Sequence, residues 1–181
     1  MKKSILVLVA GMVFTACMKE ESLPPSISNE ANGITQEKAM VTRPMMVNFY
    51  ATPNQTLPPV PCVPAPNVFV AGGLIIHGTA THIGLVNPAN SFGTVLNCNM
   101  GPQPFELSTQ QTGQVAAANG DLLYYSSTEV INVINGTVTG VVNLTGGTGR
   151  FMGASGSVNV QGTVNLQTGF AQWTGTGTIT Y

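Results

Sequence analysis

Gly156-Ser157-Val158-Asn159-Val160-Gln161-Gly162-Thr163-Val164-Asn165-Leu166 alternates without a break. Gly, Val and Leu occupy the even positions and Ser, Asn, Gln and Thr the odd ones. Successive side chains of a β-strand point to opposite faces, so this period of two marks a half-buried strand. The C-terminus repeats the pattern, with Trp173, Gly175, Gly177, Ile179 and Tyr181 on one face and Thr174, Thr176, Thr178 and Thr180 on the other. Upstream, Val138, Gly140, Val142 and Leu144 alternate with Thr137, Thr139 and Asn143. Less regular strands are predicted near Met45–Ala51, Val68–His77, Thr79–Val86, Phe92–Cys98, Phe105–Gln110 and Leu122–Val133.

Short turn signals separate these runs: Asn87-Pro88, Gly101-Pro102, Asn119-Gly120-Asp121, Asn135-Gly136 and Gly146-Gly147-Thr148-Gly149. Many short strands without a helical crossover imply an antiparallel sheet and an all-β fold. Strongly alternating strands that keep placing Gly on the inward face fit a small closed barrel, which leaves no exposed edge.

Composition limits the chemistry. Beyond Arg43 the charged side chains are Glu106, Asp121, Glu129 and Arg150. So little positive charge gives no electrostatic footprint for a phosphate backbone, which excludes nucleic acid as a partner. The mean hydropathy of +0.23 is partly owed to the N-terminus and does not argue for a membrane-embedded domain.

That N-terminus points to a cell location. Lys2 and Lys3 precede an apolar stretch from Ile5 to Ala16, about half the roughly 20 residues that a spanning helix needs. Residues 1–16 therefore read as a signal peptide. The junction Phe14-Thr15-Ala16-Cys17 resembles the lipobox of bacterial lipoproteins, with Phe14 where Leu or Val is usual. The resemblance implies a diacylglycerol on the Cys17 thiol and a mature chain starting there; each buried methylene would add about 0.8 kcal/mol to the anchoring. An ordinary secretory signal with an incidental Cys is the alternative. Cys17-Met18-Lys19-Glu20-Glu21 resembles the export signal that moves Bacteroidetes lipoproteins to the outer face of the outer membrane. A solvated charge run in a tether is the other reading of Lys19, Glu20 and Glu21. Residues 17–43 carry Pro24, Pro25, Ser26, Asn29, Asn32 and Gly33 without sustained apolar period, and read as a flexible tether before a barrel domain at 44–181.

Gly146-Gly147-Thr148-Gly149-Arg150-Phe151-Met152-Gly153-Ala154-Ser155-Gly156 resembles the C-terminal motif of dirigent proteins and, more loosely, of allene oxide cyclases. Thr81-His82-Ile83-Gly84 and Ala117-Ala118-Asn119-Gly120-Asp121 also look like segments of bacterial members of that barrel group. The resemblance implies an antiparallel barrel of about eight strands. It carries over turn and packing residues only: glycines for positive φ, Phe151 to cap the core, Ala154 and Gly156 for close backbone approach. The catalytic acids and arginine of those families have no matched positions here. Arg150 is read as structural, pairing with Asp121 or Glu129 or binding loop carbonyls, ahead of a substrate clamp.

With Cys17 lipidated, Cys62 and Cys98 remain as a pair in an oxidising location. A disulfide is expected, tying the Pro-rich loop Pro58–Pro66 to the end of the Phe92 strand, against the alternative of two buried free thiols. No Cys-x-x-Cys or His cluster supports a metal site, and no cofactor motif is present.

The catalytic candidates are His82, Glu106, Glu129 and Arg150, with His77, Asp121, Tyr124 and Tyr125 as further ionisable groups. His82 shares parity with Ile76, Ala80 and Val86, which would aim it into the barrel, where Glu129 or a tyrosine could partner it as a general base. The competing reading is a His satisfied by a backbone carbonyl. Two functions follow. The favoured one is non-catalytic: a surface-displayed barrel binding a small apolar ligand or serving as an envelope interaction module. The alternative is an isomerase or cyclase acting on an apolar molecule in the cavity. A hollow lined by Glu129 or Glu106 with His82 would favour the enzyme; a filled interior would favour a structural module.

Overall fold

The computed structural model describes residues 39–65 and 67–181. The expected signal peptide, Cys17 and the Lys19-Glu20-Glu21 run lie outside the described residues, as does nearly all of the expected tether. The strands are β1 (Thr42–Pro53), β2 (Val60–Val63), β3 (Phe69–Val70), β4 (Gly73–Ala80), β5 (Gly84–Leu85), β6 (Phe92–Met100), β7 (Glu106–Ala116), β8 (Leu122–Asn132), β9 (Thr137–Gly147), β10 (Ser155–Val164) and β11 (Ala171–Thr180).

Eight of them close a ring in the order β1-β4-β6-β7-β8-β9-β10-β11, with β11 back against β1. All ring pairings are antiparallel. The ring is not a regular barrel. β4 and β6 meet over only Gly73↔Thr94, Leu74↔Gly93 and Ile75↔Phe92, and then part. The wall continues through β2, which runs parallel to β6 at Cys62↔Cys98 and Val63↔Asn99, and β3, which pairs with β2. The Cys62–Cys98 disulfide joins the two strands there. The expected loop Pro58–Pro66 thus contains a strand that its prolines conceal.

Register explains the inward glycines. Gly177 lies opposite Met45 and Gly175 opposite Val47, so the smallest residues face side chains that fill the lumen. Phe49 lies opposite Trp173, and their rings meet edge to face at 6.3 Å. Met45, Val47, Phe49, Ile76, Leu144, Val158, Val160 and Ile179 form the main core. Phe151 is wholly buried against it, at the end of the 3-10 turn Gly149–Phe151.

Several boundaries differ from the sequence reading. The strand at the start of the domain begins at Thr42, not Met45: Thr42↔Thr180 and Arg43↔Ile179 are already paired, so the last two residues of the expected tether belong to β1. The two strands expected at Val68–His77 and Thr79–Val86 are instead β3, β4 and β5. Gly78 reads as a break, yet β4 runs through it at φ +117°, where a Cβ would collide with the Asn48 carbonyl. Here the glycine serves close strand approach. The chain turns later, at 81–83.

Candidate functional site

Polar side chains enter the lumen from β7 and β8 alone among the ring strands described. On β8, Tyr125, Ser127 and Glu129 share the inward face with Leu123; on β7, Thr109, Gln111 and Gly113 lie opposite them in register. Gly113 and Gly93 leave the space that the Tyr125 ring and hydroxyl occupy, since a Cβ at either would press on that hydroxyl. Gln111 Nε2 donates to Glu129 Oε2 at 2.8 Å, and Ser127 Oγ donates to Glu129 Oε1 at 3.2 Å. Each carboxyl oxygen therefore accepts one bond. Thr109 is 1% exposed, and its Oγ1 has no hydrogen-bond partner among the described residues.

Burial sets the electrostatics. It pushes the Glu129 carboxyl above its ordinary value of 4.5, and the Ser127 hydroxyl bond only partly offsets this. Burial likewise raises the Tyr125 phenol, with the Glu129 charge adding to the effect. Burial thus opposes the ionisation of both groups.

Two hollows flank this polar wall. A nearly filled inner one has a volume of about 40 Å³, room for a water or two. The wider mouth has about 340 Å³ and is bounded by Phe69, Val70, Leu107, Val138, Ala171 and Trp173 among others. Leu74, Gln111, Glu129, Val160 and Trp173 border both. The β2–β3 segment supplies Val68, Phe69 and Val70 to the mouth, so the disulfide-tied strands are part of its wall.

The structure disperses the four catalytic candidates. Glu129 lines the lumen. His82 does not: it adopts φ +69° in the turn after β4, hydrogen-bonds the Pro44 carbonyl through Nε2 at 2.9 Å, and packs edge-on against Tyr181. Parity with Ala80 fails because the strand has ended by then. Glu106 caps its own hairpin, accepting from the Gln103 amide at 3.2 Å, and borders neither hollow. The hollow is thus lined by Glu129 without His82 or Glu106. Arg150 sits 3.7 Å from Asp121, reaches the Ile83 carbonyl and covers the Phe151 ring. His77 stacks on Tyr50 at 4.8 Å. Tyr124 is exposed. Among the described residues no three His, Cys, Asp or Glu side chains gather as a metal site.

Thr109, Gln111 and Ser127 were invisible to the sequence reading, which assigns polar residues to the outside. The signal was available in parity: stepping by two from Glu129 reaches Ser127, Tyr125 and buried Leu123. The sequence matches no protein-family profile and no curated protein. Among solved structures, the chain is similar to a pterocarpan synthase dirigent protein, at a TM-score of 0.43 and 15% identity, over 81% of this chain and 88% of that one.

Proposed function

We propose that this chain is a lipid-anchored protein of the outer-membrane surface whose barrel binds a small, mostly apolar molecule without transforming it. The mouth carries this reading. Its volume of about 340 Å³ falls in the range of small-molecule sites, and an apolar lining with a few convergent polar groups is how such sites combine affinity with orientation. The location rests on Cys17 after its apolar segment and on the Lys19-Glu20-Glu21 run.

Native mass spectrometry of the mature chain, exported behind an ordinary secretory signal with Cys17→Ser, tests the binding reading before and after mild organic extraction. A discrete mass released by the extraction is expected; a single mass unchanged by extraction, with no added apolar compound retained, counts against it. Labelled palmitate should enter the native chain and not the Cys17→Ser variant, and protease added to intact cells should remove the domain.

Glu129 favours the second reading, an isomerase or cyclase acting on an apolar small molecule. A carboxyl whose pKa is raised by burial in an apolar wall is a competent proton donor. If the released compound is converted by the native chain and not by Glu129→Gln, that reading replaces the first.

A further inference from the structure

We propose that Thr109, Gln111 and Glu129 form the recognition point of the mouth, selecting an uncharged apolar molecule by a single hydrogen-bond-accepting oxygen, such as a ketone, ester or ether. The inference rests on the ligand-binding reading and names the ligand's chemical class. Its observation is the hydroxyl of Thr109, a residue 1% exposed on the wall of the mouth, which has no partner among the described residues. A buried hydroxyl with no bond is costly to keep. A ligand oxygen beside it would satisfy it.

The surrounding groups set the sign of the partner. Both Glu129 oxygens already accept, from Gln111 and Ser127. What this wall has left to offer is donors: the Thr109 hydroxyl, the second amide hydrogen of Gln111 and, in the protonated form that burial favours, the Glu129 carboxyl. Among the described residues no Lys or Arg borders either hollow, so a ligand carboxylate would meet the Glu129 carboxyl and no cation there. An ammonium group would need Glu129 ionised within an apolar wall, which burial opposes. A pure hydrocarbon would leave Thr109 as it is.

Trp173, the one Trp of the chain, borders both hollows, and its fluorescence reports entry. Menthane, menthone, menthylamine and menthanecarboxylic acid share a skeleton and differ in the polar group. At neutral pH, titrated into the mature chain with Cys17→Ser, menthone is expected to bind about tenfold tighter than menthane, the scale of one buried hydrogen bond. Menthylamine and the acid should bind more weakly than menthone. Thr109→Val should cost menthone most of that advantage, leave menthane unchanged and leave the free protein no less stable. Glu129→Gln, which keeps a donor, should retain the preference for menthone.

Equal binding of menthone and menthane overturns the recognition point and leaves the ligand-binding reading standing. Preference for the amine or the acid, or a Thr109→Val variant that binds menthone as the native chain does, overturns it as well. Failure of all four probes removes both.

Discussion

Glu129 brings a pH dependence that can be worked out in sign. In the unfolded chain its carboxyl titrates near 4.5, and in the barrel burial raises that value. Below about 4.5 both states are protonated and the group is neutral to stability. As pH rises through that value the unfolded chain releases the proton first, so stability falls until the folded carboxyl ionises too. Glu129→Gln removes this loss. Thermal denaturation across pH 4 to 8 should therefore show the variant gaining on the native chain as pH rises, about level at the acid end; parallel curves would refute the burial argument. Glu129 itself entered the sequence reading as a candidate partner for His82 inside the barrel, and the lumen is where it lies. Its hydrogen-bond partners were not legible in the sequence, since Gln111 and Ser127 break the rule that polar side chains face water. His82 failed in the opposite way: alternation placed it inward, and a left-handed turn residue carried it out to Pro44.

Among the elements, β9, β10 and β11 are the ones whose alternation can be read almost to their ends, because one face meets the core and the other meets solvent along their whole length. β2 and β3 could not be read that way. Pro61, Pro64 and the brevity of the segment hide any period, and beside its two short ladders β2 is held by Cys62, which is buried with Cys98 and Leu107 in a small cluster of their own. Val60, Val70, Ile131 and Val133 pack on that cluster, joining the segment to the ends of β7 and β8. Replacing both cysteines by Ser removes a constraint across 36 residues, which the chain-entropy account values at about 4 kcal/mol. It also frees the strand that presents Phe69 and Val70 to the mouth. The double variant should keep its far-ultraviolet strand spectrum, lose a large part of its denaturation free energy, and show a weakened Trp173 response to menthone. An unchanged denaturation midpoint would mean that β2 is held by packing alone.

For the molecule as a whole, the ring is shut by the two ends of the domain. Thr42 bonds Thr180 across 138 residues, and β1 is paired on one side to β11 and on the other to β4. By contrast β6 to β11 form a run of neighbouring antiparallel strands, each paired with the next in sequence. Closing a long loop costs entropy before any contact rewards it, so the local pairings form early and β1 docks late. Two core valines separate these stages. Val158 on β10 lies between Val142 and Gly177 of its sequence neighbours, whereas Val47 on β1 lies between Gly175 and Ala80. Both are buried, so truncation to Ala should destabilise each variant by more than the roughly 0.6 kcal/mol that a φ-value requires. Val158→Ala should then slow refolding in stopped-flow measurements, while Val47→Ala should mainly speed unfolding and leave the refolding rate close to native. If Val47→Ala slows refolding as much as Val158→Ala does, the ends meet in the transition state and closure is the nucleating event. A late-docking β1 has a consequence for Trp173: its edge-to-face contact with Phe49 is completed only when the ring closes, so Trp173 fluorescence should lag behind the strand signal during refolding.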